Sequence, residues 1–426
     1  MTTYLEYTDP QGIPVDRQKQ LLTRMLRELE PDWKRVLLLP PDATRSKSGA
    51  GLITNILYAA LASTAEVDIM PALGTHAPMS TREKAHMFGT AIPEDRFLVH
   101  DWRNNLYEAG RIPRETMREW SEGKIDDTVD VCVDRILTDG YDAILSIGQV
   151  VPHEVAGMAN YTKNVCVGAG GADIINKSHY LGAVYGMERI MGRIDTPPRK
   201  LYNQAVKELL ADLPLHFILT VVGEAGDEKQ PVVKGLFAGD DDAAFLAAAE
   251  MSQRENITYL DRPIQKAVVY LPPDEFKSTW LGNKAIYRTR MAMADDGHLI
   301  VLAPGVSTFG EDAEIDRLVR KFGYRGTPAT LDAVTADADL RANLGAAAHL
   351  IHGSSEGRFK ITYCPGPDLS REEIENVGFE WGNFDEVSAV YHPEKLVSGW
   401  NDDPEGGKLF FIPNPALGLW AVEGSI

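Results

Sequence analysis

Short apolar runs alternate with amphipathic stretches along the first half of the chain. Each run is three to eight residues long and ends at a turn rich in Gly, Pro, Asp or His. Apolar runs of this length, separated by helical patterns, are typical of βαβ units around a parallel sheet. The predicted strands are Val36–Leu39, Val67–Met70, Phe97–Val99, Ala143–Ile147 and Leu215–Val222, and the predicted helices include Arg17–Leu29 and Asp127–Leu137.

A second series of the same kind begins after an acidic cluster at residues 240–242. Its predicted strands are Lys266–Tyr270, His298–Leu302, Phe359–Tyr363 and Lys408–Ile412, and its predicted helices are Asp312–Phe322 and Asp337–His352. We therefore predict an α/β protein of two α/β domains with largely parallel sheets, spanning residues 1–260 and 261–426. We expect the active site in the cleft between the domains, and the chain's tail could return to pack on the first domain.

Polar side chains follow the carboxyl ends of several strands predicted in the first series. Asp42, Thr44 and Arg45 follow the first strand, His76 follows the second, and His153 follows the fourth. In open α/β sheets, ligands bind outside the carboxyl ends of the strands. These side chains are therefore expected to converge on one crevice.

Composition excludes some classes of partner. The formal net charge is −19, which argues against nucleic acid and against anionic membranes, whereas a local cation still permits a small anionic substrate. The three cysteines form no CxxC pair, so a disulfide framework or a thiolate zinc site is not expected. No signal peptide and no apolar run of membrane-spanning length are visible, and we expect a cytoplasmic protein.

Three segments combine residues that carry chemistry. Residues 41–51 place hydroxyls, two cations and two glycines before a helix, which suits a phosphate or a carboxylate, although Asp42 could equally cap that helix. Residues 74–83 present His76 on a loop, as a proton shuttle, a metal ligand or neither. Residues 149–185 lack GxGxxG, so a dinucleotide fingerprint is absent, and their histidines do not have the short spacing of helical zinc motifs.

Taken together and in order, these segments resemble the lactate racemase family that uses a nickel-pincer nucleotide. The resemblance rests on Asp-x-Thr-Arg at 42–45, on Gly-Thr-His at 74–76, and on the series His153, Lys163 and His179, spaced by ten and sixteen residues. It covers roughly residues 36–300.

The resemblance implies a cofactor and a role for each of these residues. The cofactor is a pyridinium mononucleotide whose two thiocarbonyl-type groups clamp nickel, with a histidine as the one protein ligand. The roles implied are His179 as the nickel ligand, Lys163 as the covalent attachment point, His76 and His153 as the two acid/base residues, Asp42 and Thr44 as cofactor contacts, and Arg45 as a substrate contact.

The implied activity is racemisation or epimerisation of a 2-hydroxy acid. Hydride transfer from C2 to the cofactor avoids an unstabilised carbanion, and the hydride returns to the opposite face. In the second domain Lys284 matches a family lysine near the substrate, whereas Trp280 and Leu281 replace a Tyr-Gln pair. These replacements favour a 2-hydroxy acid other than lactate, and the family's cofactor-stacking Trp is missing from its expected place near 344–347. Enzymes of cofactor synthesis are expected as transient partners.

Two other functions stay open from the residues themselves. One is a divalent-metal-dependent hydrolase or lyase that uses the same histidines. The other is a non-catalytic binder or a cofactor-handling relative, against which the two histidine bases and Lys163 argue. Nickel content and a covalent mass adduct would distinguish the racemase from both.

Overall fold

The computed structural model describes residues 3–29, 32–226, 230–416 and 418–426. The chain divides into two compact units. One contains the described residues up to Ser178 together with Met191–Asn256, and the other contains His179–Ile190 and Ile257–Ile426.

The first unit is built on a six-stranded mixed sheet. The strands of this unit, six of which form the sheet, are β1 (Thr3–Thr8), β2 (Arg35–Leu39), β3 (Glu66–Ile69), β4 (Leu106–Ile112), β5 (Val129–Asp134), β6 (Ala143–Gln149), β7 (Pro152–His153), β8 (Gly157–Met158), β9 (Leu215–Ala225) and β10 (Gln230–Gly239). Its helices are α1 (Val15–Leu29), α2 (Ala50–Leu61), α3 (Thr81–Phe88), α4 (Arg114–Trp120), α5 (Ala172–Tyr185, divided after Ser178), α6 (Pro197–Gln204) and α7 (Asp242–Asn256). The order is β1-β10-β9-β6-β2-β3; β9, β6, β2 and β3 run parallel, and β10 and β1 extend the edge antiparallel.

The central strand β2 shows why this sheet is covered on both faces. Its sequence is a continuous apolar run, as expected for a strand buried on two sides. Val36 and Leu38 belong to one core cluster, with residues of α1 and α2. Leu37 and Leu39 point the other way into a second cluster, with residues of α7. The carboxyl end of β2 is thus held firmly between two cores.

The second unit is built on another six-stranded sheet. Its strands are β11 (Thr258–Leu260), β12 (Ile264–Tyr270), β13 (Met293–Ala303), β14 (Lys360–Pro365), β15 (Glu380–Trp381), β16 (Gly399–Asp402), β17 (Lys408–Ile412) and β18 (Trp420–Val422). Its further helices are α8 (Thr279–Gly282), α9 (Lys284–Tyr287), α10 (Ala313–Phe322), α11 (Thr327–Ala336), α12 (Ala338–Ala342), α13 (Leu344–His352), α14 (Arg371–Asn376) and α15 (Phe384–Val390). The order is β15-β14-β13-β12-β17-β16, parallel throughout except for β16, while β11 pairs with β18.

The predicted α/β class with largely parallel sheets is confirmed, but three predicted elements are wrong. Asp127–Leu137 is a strand followed by a 3₁₀ turn, because its buried valines alternate with period two. Phe97–Val99 contributes a single parallel bridge from Phe97 to Ile69. Asp337–His352 is two helices, because the backbone at Asn343 leaves the helical region.

Two further findings concern the whole described chain. Within the described ranges, no helix is long and apolar enough to cross a bilayer. Cys132, Cys166 and Cys364 are free thiols.

Candidate functional site

Asp42 organises the turn that follows β2. It caps a 3₁₀ helix over Ala43–Ser48, and its Oδ1 accepts hydrogen bonds from the backbone N–H of Thr44 at 3.2 Å and from the Thr44 hydroxyl at 2.5 Å. Gly49 ends this turn in the left-handed region, φ 79°, and starts α2. The predicted capping role of Asp42 is therefore present, and its second carboxylate oxygen is left for another partner.

That second partner is His76. The Nδ1 atom of His76 lies 2.6 Å from Oδ2 of Asp42, and the His76 side chain is 59% exposed while the carboxylate is 8% exposed. Burial raises the pKa of Asp42, but the hydrogen bonds from His76 and Thr44 and the nearby charges outweigh it, so this pKa is lowered. An ionised carboxylate fixes the proton on Nδ1, which leaves Nε2 of His76 with a lone pair able to accept a proton.

His153 is held in the opposite tautomer. It ends β7, is 7% exposed, and its Nδ1 accepts a hydrogen bond from the backbone N–H of Val155 at 3.0 Å. Oε2 of Glu154 lies farther from the same atom, at 3.7 Å. A backbone N–H can only donate, so with this closer partner the neutral ring carries its proton on Nε2. His153 thus presents an N–H at Nε2, whereas His76 presents a lone pair there.

Lys163 directly precedes a π turn over Asn164–Gly168. The Asn164 amide donates to the carbonyl of Leu39 and to the hydroxyl of Ser146, each at 3.0 Å, which fixes the turn at the carboxyl ends of β2 and β6. The backbone N–H of Gly74 donates to the carbonyl of Gly168 at 2.8 Å. The segments that carry Asp42, His76 and Lys163 therefore meet at one edge of the first unit's sheet.

The electrostatic surroundings of Lys163 disfavour its charged form. Its pKa is lowered from 10.5 to about 7 by burial first, then by the charge of Arg45, with a smaller contribution from Arg199 and an opposing one from Glu154. The side chain keeps partial access to solvent. Near neutral pH a large fraction of this amine is unprotonated, and an unprotonated amine is a nucleophile.

A comparison with known protein families matches part of the chain. Residues 18–190 match the family model of the lactate racemase N-terminal domain. This stretch of the chain is therefore similar to the N-terminal domain of lactate racemases. The sequence resemblance is thereby confirmed, and the match supports a function of the racemase type.

Solved structures extend the likeness in fold beyond residues 18–190. A crystal structure of a Thermotoga maritima protein is 22% identical, with a TM-score of 0.79, covering 98% of this chain and 100% of the other. The lactate racemase apoprotein of Thermoanaerobacterium thermosaccharolyticum is 17% identical, with a TM-score of 0.70, covering 95% and 92%. No curated protein matches the chain.

The remaining predicted residues lie in two places. In the first unit, Thr44 is exposed and Arg45 is half-buried at a non-helical kink of the 3₁₀ turn. The other four, His179, Trp280, Leu281 and Lys284, belong to the second unit.

In the second unit, the segment with Trp280 and Leu281 follows the carboxyl end of β12. Its helix α8 is tied to the loop after β13, because the backbone N–H of Trp280 donates to the carbonyl of Phe309 at 3.0 Å. The Trp280 ring packs against His349 of α13 at a centroid distance of 4.3 Å. The predicted substrate residues therefore lie at the carboxyl edge of their own sheet, where ligands bind in α/β folds.

Sequence reasoning missed two buried groups of the first unit. Arg199 is 3% exposed and hydrogen-bonds the segment before Lys163. His100 is fully buried, with Nδ1 at 2.7 Å from Asp134 and Nε2 at 3.2 Å from the carbonyl of Gly170. The Thr-Pro-Pro sequence before Arg199 signals a helix start, but nothing local signals what its guanidinium contacts.

The described residues bring no three His, Cys, Asp or Glu side chains together as a metal site.

Proposed function

We propose that the protein inverts C2 of a 2-hydroxy acid by reversible hydride transfer, with a nickel-pincer nucleotide as cofactor. The observation that carries the proposal is the pair of histidines in opposite tautomers. His76 accepts a proton at Nε2 because Asp42 holds Nδ1–H, and His153 offers a proton at Nε2 because Val155 occupies Nδ1. Inversion by two-base chemistry needs one acceptor and one donor at the start of each turnover.

The residues of the chain fit such a cofactor. Lys163, whose amine is unusually easy to deprotonate, would condense with a thiocarboxylic acid group, forming a thioamide and releasing water. Thr44 and Arg45 supply a hydroxyl and a positive charge before the N-terminus of α2, which suits a phosphate. His179 supplies one imidazole, and nickel held mainly by soft sulfur and carbon needs no more from the protein.

When bound, the cofactor supplies the acceptor that takes and returns the C2 hydride. His76 removes the hydroxyl proton of the substrate at Nε2, and the carboxylate of Asp42 stabilises the imidazolium that forms. His153 gives its Nε2 proton to the carbonyl oxygen while a second proton enters the ring at Nδ1, so the ring stays neutral and no imidazolate is left. For this step Nδ1 must release the N–H of Val155, and Oε2 of Glu154 lies 3.7 Å from Nδ1. The reverse reaction starts from the exchanged protonation states.

Four residues are proposed to select the substrate. Arg45 and Lys284 offer positive charge to the substrate carboxylate. Trp280 and Leu281 bring more apolar surface than the Tyr-Gln pair of the family, which favours a 2-hydroxy acid other than lactate. Transient partners that synthesise the cofactor, and a cytoplasmic location, remain predictions.

The experiment is to produce the protein together with enzymes of cofactor synthesis and to screen racemisation over a panel of 2-hydroxy acids. His76→Ala and His153→Ala should retain nickel and lose activity by a factor on the order of 10²–10⁴ each. His179→Ala should lower the nickel content, and Lys163→Ala should abolish the covalent mass adduct. His86→Ala, at an exposed position of α3, is the matched control and should change neither.

Two results would contradict the proposal. Loss of nickel in His153→Ala with an active His179→Ala would reverse the assignment of ligand and acid/base. A mass adduct that persists in Lys163→Ala would place the attachment elsewhere.

A further inference from the structure

Arg199 is a buried cation with no described counterion. It lies in the first turn of α6, after Thr196-Pro197-Pro198, and is 3% exposed. Among the residues that the structure describes, no carboxylate oxygen lies within 4 Å of its guanidinium. Burial lowers the pKa of Arg199 to about 10. A buried charge without a counterion is costly, so its place in the fold calls for a physical reason.

The guanidinium binds three acceptors that come shortly before Lys163. One terminal nitrogen donates to the carbonyl of Asn160 at 3.1 Å and to the hydroxyl of Thr162 at 3.0 Å. The other donates to the carbonyl of Met158 at 2.6 Å. The Nε–H has no hydrogen-bond partner among the described atoms. The terminal nitrogens of Arg199 thus donate hydrogen bonds to two carbonyl groups and one hydroxyl of residues 158–162.

That segment has an unusual backbone. Asn160 and Tyr161 are consecutive non-glycine residues in the left-handed region, at φ 63° and 59°. Such conformations persist only where the surroundings enforce them. The rings of Tyr161 and Phe245 stack with their centroids 4.9 Å apart. The guanidinium carbon of Arg199 lies 4.5 Å from the centroid of the Phe245 ring. Residues 158–162 are therefore fixed in two ways: Arg199 hydrogen-bonds their backbone carbonyl groups, and Phe245 packs on the side chain of Tyr161.

We infer that Arg199 is a positioning residue for Lys163: its guanidinium fixes residues 158–162 and places an uncompensated positive charge near the Lys163 amine. The inference rests on the proposed role of Lys163 as the attachment point. The backbone clamp sets where the amine emerges. The positive charge opposes protonation of the amine, in the same direction as burial and Arg45, and so keeps it ready for attack.

The test measures the amine itself, in the protein without cofactor. A limiting amount of an N-hydroxysuccinimide acetate ester is applied between pH 6 and pH 10, and peptide mass spectrometry gives the acetylation rate of each lysine. In the wild type we expect the rate at Lys163 to reach half its maximum near pH 7. Arg199→Gln should move this midpoint to higher pH, while exposed Lys207 serves as the reference within each sample. An unchanged midpoint in folded Arg199→Gln would overturn the electrostatic part.

Arg199→Lys tests the clamp separately, since it keeps a positive charge but cannot reach all three acceptors. We expect the midpoint of Lys163 to stay, and amide hydrogen exchange over residues 158–163 to accelerate at least tenfold. Exchange as slow as in the wild type would overturn the clamp, and this variant serves if Arg199→Gln does not fold. Failure of the proposed function would give a different result. Lys163 would still have its acetylation midpoint near pH 7, but no cofactor adduct would form on it.

Discussion

Replacement of Lys163 by methionine should stabilise the cofactor-free protein at neutral pH, although it removes a residue proposed as essential. In the folded state the pKa of this amine is lowered from 10.5 to about 7. Between these two values the unfolded chain binds a proton that the folded chain does not bind. By linkage, the free energy of unfolding contributed by this group therefore rises with pH across that window, and folding is penalised below it.

The size of the effect follows from the shift. One pKa unit corresponds to about 1.4 kcal/mol. Because the folded amine is already about half protonated at pH 7, the contribution of Lys163 changes by about 2 kcal/mol between pH 7 and pH 9. Methionine has nearly the same length and no charge, so the Lys163→Met protein lacks this dependence. It should exceed the wild type most at pH 6–7 and least at pH 9–10.

Urea unfolding of both proteins at pH 6, 7, 8 and 9 provides the measurement, and the quantity of interest is the difference in unfolding free energy. Lys207→Met, at an exposed position of the same unit, is the matched control and should follow the wild-type curve. If the wild-type and Lys163→Met curves run parallel in pH, the amine is not perturbed in the folded protein and the reasoning fails.

Three further substitutions probe particular contacts. Asp42→Asn should keep the cap of the 3₁₀ turn but favour the wrong tautomer of His76, lowering kcat of the loaded enzyme on the order of 10²–10⁴-fold; an active Asn variant would remove the carboxylate from the mechanism. His100→Gln should lower the free energy of unfolding by roughly 1–3 kcal/mol, because charge-assisted hydrogen bonds are lost from a fully buried pair; denaturant titration measures this, and no change would show that the pair is dispensable. Glu188→Gln should cost about 1–3 kcal/mol, since it leaves the guanidinium of Arg290, 1% exposed, without the carboxylate 3.0 Å away; a cost near zero would mean that solvent already screens this pair.

The central strands of the sheets could be predicted because buried parallel strands have continuous apolar sequences. Val36–Leu39 and Ala143–Ile147 fall within β2 and β6. The antiparallel edge formed by β1 and β10 lacks this pattern at β1, where Leu5 is the one buried residue of six. The sequence predicts a helix where the strand Val129–Asp134 lies, because the flanks of this segment are polar and its period-two pattern spans only six residues.

Within the candidate site, residue types could be predicted but pairings could not. Asp42 and His76 are 34 positions apart, and only the fold puts a carboxylate oxygen 2.6 Å from the ring. The tautomer of His153 depends on one backbone N–H, which leaves no trace in the sequence. The contacts of Arg199 cannot be predicted from the sequence for the same reason. Its partners are mostly backbone carbonyl groups, and every residue has one.

The π turn over Asn164–Gly168 has a consequence for how the chain can change in evolution. A π turn holds one residue more than an α-helical turn. Losing one residue here would close it to an ordinary turn and rotate the preceding backbone by about 100° around the helix axis. Lys163 would then leave its direction while Asn164 lost its hold on Leu39 and Ser146. This stretch can therefore change in sequence more readily than in length. An alignment gap between 163 and 168 would mark a relative in which the lysine no longer serves as the proposed attachment point.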